Sequence, residues 1–295
     1  MQRTLSHIVQ TIKLNGERVT RAYTAEICTE INQGKQTIYN ATGLEFDVTY
    51  YGRNTEGFLQ YRIEVSKRFL LTKKYRVIKK LNKAQQIALR VAAINDVLEM
   101  QVSKNFKLIK ITNTSEIRKK WQDIKHDLLE DFPDLDKMVD DFDWQLREEN
   151  IQRLFLEDNF YSFFFSDLFY HEYEGKKPLS AKKTIANALG NINIPMIEQK
   201  KISKQNISFT DVTITTQAEI DTEHPQFSLP KLNMFLGQLP TKEGSQHQLH
   251  VDYKGLYKIT PQRGLVTQGK LKYAFEVKDL YKKETTITFN LEDNE

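Results

Sequence analysis

At 295 residues, with 39% hydrophobic and 28% charged side chains, the chain has the composition of a folded globular protein and not of a disordered one. Its one cysteine, Cys28, cannot form an intramolecular disulfide, and no uninterrupted apolar run approaches the roughly 20 residues that span a bilayer. The net charge of +4 conceals a division: residues 115–174 hold 7 Lys/Arg against 17 Asp/Glu, which leaves 36 against 22 for the rest. Such segregation means that the acidic segment lies against the basic remainder or that it faces a partner of opposite sign.

The opening residues, MQRTLSHIVQTIKLNGE, contain neither an apolar core of signal-peptide length nor a small-residue cleavage site, so the expectation is a cytoplasmic protein. From Ser6 to about Leu71 the pattern has period two. Odd positions Val19, Tyr23, Ala25, Ile27 and Ile31 are apolar, with Arg21 and Thr29 interrupting that face, and Leu44, Phe46, Val48 and Tyr50, then Leu59, Tyr61, Ile63 and Val65, repeat the alternation. This is the mark of antiparallel strands with one wet face. Asn15-Gly16, Gln33-Gly34 and Gly52 punctuate them as turns. Between Lys67 and Lys80 basic residues interleave with Phe69, Tyr75, Val77 and Ile78, which reads as a solvated strand face without a nucleic-acid-binding module around it.

A helix follows, with Asn82 as cap, Gln85 completing a capping box, and a stripe of Ala84, Ile87, Ala88, Val91, Ile94 and Leu98. Two short strands then flank a tight turn at Ser103-Lys104-Asn105, with Asn105 as the residue suited to a left-handed conformation. The central segment opens with Ser115 as N-cap. Ile117, Trp121, Ile124 and Leu128 share one helical face, and Phe132-Pro133 ends that helix. Asp134 is expected to cap a second helix with Leu135, Met138, Val139 and Phe142 inside. Ile151, Leu154 and Phe155 start a third pattern that runs into nine Phe/Tyr among residues 155–173. Lys176-Lys177-Pro178 marks a loop, residues 181–195 read as a weak helix or connector, and the remainder returns to strands, with a helical turn around residues 229–239 and a hairpin turn at Pro261-Gln262-Arg263-Gly264.

No catalytic signature stands out. His247 and His250 have a spacing that would put them on opposite faces of a strand. His126 and Glu130, four apart on a helix, could share a metal only with further ligands and read as a solvent-facing ion pair, and the acids Asp131, Asp134, Asp136, Asp140, Asp141 and Asp143 lack the glycine and spacing of a cation loop. Cys28, within a strand pattern, reads as a structural thiol.

The expected fold is α+β: predominantly antiparallel, curved sheet from the N- and C-terminal parts with a central helical insertion packed against it. It is read as a single domain over 1–295, with residues 1–113 carrying strands and one helix, 114–174 the insertion and 175–295 the C-terminal strands. By plan alone, strands then helices then strands, the chain resembles the half-barrel folds of lipoprotein carriers, a likeness with no shared motif. The expected function is non-enzymatic binding in the manner of an adaptor or immunity protein, with the acidic helical segment engaging a basic protein partner. The alternative is a carrier or sensor of an apolar, lipid-like ligand. Neither reading calls for a metal or cofactor, and nucleic acid is not the expected partner. The candidate binding residues are Asp140, Asp141, Asp143, Trp121, Trp144, Phe155, Phe160, Phe164, Phe165 and Phe169.

Overall fold

The computed structural model describes residues 10–14, 16–173, 177–205, 210–239 and 248–292. In chain order the elements are β1 (Gln10–Thr11), β2 (Thr20–Gln33), β3 (Gln36–Arg53), β4 (Leu59–Leu70), α1 (Lys83–Ala92), β5 (Val97–Val102), β6 (Leu108–Ile111), α2 (Thr114–Asp131), α3 (Asp136–Gln145), α4 (Glu148–Leu156), α5 (Asn159–Phe164), β7 (Glu172–Tyr173), β8 (Leu179–Leu189), β9 (Ile192–Gln205), β10 (Val212–Ile220), α6 (Leu229–Gly237), β11 (Leu249–Thr260), β12 (Leu265–Val277) and β13 (Tyr281–Leu291). Strand predominates over helix, and the pairings within the ladders described below are antiparallel. The chain divides into two compact units: Met1–Asn15, Glu26–Ala41 and Leu168–Asn290 form one, here the strand unit, and Gly16–Ala25, Thr42–Asp167 and Leu291–Glu295 the other, here the helical unit.

In the helical unit the ladder runs β6-β5-β4-β3, with Val48 opposite Ile63 and Ile63 opposite Leu98. The alternation along β3 and β4 places Leu44, Phe46, Val48, Tyr50, Leu59, Tyr61 and Ile63 inside. Gly52 is not a turn but sits at a register shift within β3, and the chain reverses instead at residues 54–58. Helix α1 starts as its capping box requires: the Asn82 side chain accepts from the Gln85 N–H at 2.9 Å, and the Asn82 N–H donates to Gln85 Oε1 at 3.0 Å. It is shorter than its apolar stripe, because Leu98 belongs to β5.

Two expected caps are replaced. Asn113, not Ser115, precedes α2, and its side chain ties β5 by accepting from the Glu99 N–H and donating to the Val97 carbonyl. Asp134 does not cap α3; its carboxylate is taken by Lys83 at 2.6 Å and the helix begins after Leu135. The residue with positive φ in the β5–β6 turn is Phe106 and not Asn105.

In the strand unit the ladder is β8-β9-β10-β11-β12-β13, and β1 pairs with β7. Residues 181–195, read as helix or connector, form the β8–β9 hairpin, with Ile185 opposite Ile194. Alanine, leucine and lysine favour helix locally, but β9 pairs along both edges, with β8 and β10, and this overrides a preference worth about 0 to 0.7 kcal/mol per residue. The Pro261–Gly264 turn forms as expected, with the Gly264 N–H donating to the Pro261 carbonyl. Asn15, Lys176 and His247, named for a turn, a loop and a histidine pair, lie outside the described residues.

Candidate functional site

The rings of the aromatic segment are largely buried. Helix α5 starts at Asp158, whose carboxylate accepts from the backbone N–H groups of Phe160 and Tyr161 at 2.9 Å each. That cap turns Phe160, Phe163 and Phe164 inward. Phe164 lies 5.2 Å from Tyr23, 5.8 Å from Phe46 and 5.0 Å from Phe165, edge to face in each case. Phe160 meets Phe46 at 5.7 Å, and Phe165 meets Tyr61 at 5.6 Å and Phe106 at 5.0 Å. These are the separations of aromatic rings in contact. Phe155 is buried on α4 with Tyr161 beside it, and Phe169 is buried in the strand unit.

The helices present a different surface. Trp121 belongs to the inner face of α2 with Ile117 and Leu128. Its indole N–H donates to Asp143 Oδ1 at 2.6 Å, while Lys125 Nζ holds Oδ2 at 2.5 Å. Burial pulls the Asp143 carboxyl upward, but Lys125 and Trp121 outweigh it and hold the group below the usual carboxylate range. Asp143 is thus a fixed anion that locks α3 onto α2. At the next residue of α3 the arrangement reverses. Trp144 is 49% exposed although it is the second of only two tryptophans. Asp140 and Asp141 precede it by four and three residues, which puts the three side chains along one side of α3. Both carboxylates are exposed, and neither has an ion-pair partner among the described residues.

Other acids of the segment are neutralised by the basic helix before them. Arg90 pairs with Asp131 at 2.5 Å and Lys83 with Asp134 at 2.6 Å, so part of the charge division is internal packing. Beside these pairs a cleft of about 340 Å³ is lined by Arg90, Ala93, Ile124, Asp127, Glu130 and Asp131. His126, Asp127 and Glu130 have ligand atoms within 4.8 Å of one another, all exposed, with His126 Nδ1 3.8 Å from Asp127. His250 is exposed on β11.

The strand unit holds a group that sequence reasoning missed. Glu198 and Lys200 sit inside β9, with Lys200 Nζ 3.2 Å from Glu198 Oε2 and Tyr253 Oη donating to Oε1 at 2.5 Å. Burial raises the Glu198 carboxyl, but Lys200, Lys183 and the Tyr253 hydroxyl more than reverse this and keep it below its ordinary range. Burial lowers the Lys183 ammonium and pushes Tyr253 well up. Gly255 on β11 makes room next to them: a Cβ there would come within 2.2 Å of Thr216 Oγ1. A carboxylate held ionised by two cations and a phenol is a poor proton acceptor, so this network fixes β9 between its neighbours. Its one trace in the sequence is the continuation of the buried positions Ile194 and Met196 into Glu198 and Lys200. Cys28 on β2 accepts from the Tyr39 hydroxyl at 3.8 Å, and burial pushes its thiol up, away from nucleophile chemistry.

No family model matches the sequence, and neither does any curated protein. Among solved structures, the chain is similar to lipovitellin, from a study of its lipid–protein interactions, with a TM-score of 0.46, 6% identity, and coverage of 92% of this chain and 25% of that one. It thus spans about a quarter of the length of the lipovitellin chain. It is also similar to DynF of the dynemicin biosynthesis pathway of Micromonospora chersina, with a TM-score of 0.22, 6% identity, and coverage of 97% of this chain and 85% of that one. At these scores neither likeness carries an argument. Among the described residues no helix is long and apolar enough to cross a membrane.

Proposed function

We propose that this chain is a non-enzymatic binding protein whose working surface is the outer side of α3, with Asp140, Asp141 and Trp144 engaging a basic partner. The observation that carries the reading is the exposure of Trp144 beside two carboxylates without ion-pair partners among the described residues, in a segment whose other large rings are mostly buried. A half-exposed tryptophan supplies apolar area and a ring face for a guanidinium or ammonium group. The flanking carboxylates supply the charge-assisted hydrogen bonds that such a cation needs. Asp143 and Trp121, named with them, contribute by holding α3 rigid on α2.

The carrier reading asks for space among the phenylalanines. The rings of Phe160, Phe164 and Phe165 are at contact distance from their neighbours, so the surface reading is the one put forward.

The test is titration of the protein with an arginine- and lysine-rich peptide, followed by tryptophan fluorescence at low and at physiological salt. Binding should perturb the Trp144 signal, weaken with salt, and fall by about 10-fold or more in the Asp140→Asn/Asp141→Asn variant, as expected when contacts worth roughly 1.5–3 kcal/mol to charged groups are lost. Equal affinity of the variant and the parent would sink the reading.

A further inference from the structure

Three hairpins of the helical unit are built on one plan, and the middle one in chain order is out of keeping with the other two. In each, the first residue's N–H donates to the carbonyl four positions on, the fourth residue's N–H returns to the first carbonyl, and the first side chain accepts from the fifth N–H. The first residues are Asn54, Thr72 and Ser103, and the accepting atoms are Asn54 Oδ1, Thr72 Oγ1 and Ser103 Oγ. The fourth residue takes the left-handed conformation in all three: Gly57 at φ 85°, Tyr75 at 56° and Phe106 at 72°. Glycine is the residue that this position accepts without strain. Phe106 is compensated by burial of its ring against Tyr61 and Phe165. Tyr75 has no such return, since its side chain is 62% exposed.

The charge around Tyr75 is equally one-sided. Residues 65–95 contain nine Lys/Arg and no Asp/Glu. Lys67, Arg68, Lys83 and Arg90 are engaged by acids. Lys74, Arg76, Lys79 and Lys80, on or next to the hairpin, are exposed and have no ion-pair partner among the described residues. Val77, paired with Leu71 across the hairpin, is 53% exposed on the same element. Lys67–Leu70 belong to strand β4 as expected, but from Leu71 on the run is an exposed hairpin with a ring, a branched aliphatic side chain and four cations without ion-pair partners among the described residues.

We infer that residues 71–80 dock on an anionic bilayer surface, with Tyr75 and Val77 entering the boundary between headgroups and acyl chains and Lys74, Arg76, Lys79 and Lys80 meeting lipid phosphates. An amphipathic ring and an aliphatic side chain amid basic residues match that interface, where tyrosine is at home and each basic residue contributes near an anionic surface. Val77 distinguishes this from single-stranded nucleic acid, whose bases take aromatic rings and cations but gain little from an aliphatic group.

The experiment is flotation of the full chain with vesicles of phosphatidylcholine, alone or mixed with phosphatidylserine. The chain should float only with the mixed vesicles, and less so as salt rises. Lys79→Gln/Lys80→Gln should lower the affinity by roughly 30-fold, from about 1 kcal/mol per basic residue. Tyr75→Gly, which restores the residue found in the first hairpin, and Val77→Ser should each weaken flotation while circular dichroism stays unchanged. Asp140→Asn/Asp141→Asn should float like the parent, which separates this outcome from that of the α3 surface. Equal flotation of parent and Tyr75→Gly, flotation with phosphatidylcholine alone, or no flotation at all would overturn the inference. So would displacement of the chain from mixed vesicles by a single-stranded oligonucleotide whose binding depends on Tyr75.

Discussion

The rings around α5 and the rings of Trp144 and Tyr75 belong to the same unit and stand in opposite relations to it. Phe160, Phe164 and Phe165 are surrounded by other rings, so their chemistry is spent on holding helices to strands. Trp144 and Tyr75 are half or more in water, next to carboxylates in one case and cations in the other. Aromatic density in a sequence therefore says little about function until each ring is known to have neighbours. The buried rings should govern stability, and the exposed ring of Trp144 should leave it nearly untouched.

The sharpest break of that division is Phe164→Ala. It removes a ring that three others contact edge to face, and should cost about 3–5 kcal/mol in denaturant unfolding followed by Trp121 fluorescence. A loss of under about 1 kcal/mol would mean that the interior closes over the gap, against the packing described.

The strand unit adds a buried ionic group to its own apolar and aromatic interior, with an effect of similar size. Glu198→Gln leaves Lys200 buried without its counter-charge and should cost about 3–5 kcal/mol, seen as faster amide exchange along β9 and β10. Because the Glu198 carboxyl is held below its ordinary range, its contribution is fully present above the unfolded-state value of about 4.3. It is lost as pH falls through the lower folded-state value, and the acid limb of the parent's stability should be shallower in the variant.

A smaller effect should have opposite signs at the two equivalent hairpin positions. Tyr75→Gly relieves a left-handed non-glycine residue and should stabilise by about 1 kcal/mol, whereas Phe106→Gly gains the same relief but loses a buried ring and should destabilise. Thermal unfolding of the two variants side by side decides it; matching signs would remove the contrast. Least of all, Trp144→Ala should change stability by less than about 0.5 kcal/mol, as surface substitutions do.

The strands were legible because Leu44, Phe46, Val48 and Tyr50 repeat with the period of a pleat, and α1 because Asn82 and Gln85 carry their own partners. The caps at Ser115 and Asp134 were misread because a side chain that can cap also answers to outside groups, here Glu116 for one and Lys83 for the other. Residues 181–195 were misread because Lys183 and Ile185 acquire strand character only from β9, a pairing that no local pattern announces. On α3 the residue types of the surface were visible, and Trp121 was legible as inward from its spacing with Ile117 and Leu128 on α2, while the exposure of Trp144 follows from contacts that sequence does not show, Trp121 and Lys125 turning Asp143 toward α2 and the next residue away. The Glu198–Lys200–Tyr253 group was out of reach, since β9 and β11, 55 residues apart at the Glu198–Tyr253 contact, build it together.

Site-specific photo-cross-linking tests the α3 surface most directly. With benzoylphenylalanine substituted for Trp144, irradiation beside an arginine- and lysine-rich partner should give an adduct that rising salt suppresses. The same group substituted for Tyr51, which is 52% exposed outside the acidic face, should give little. Equal yields at the two positions would contradict the account.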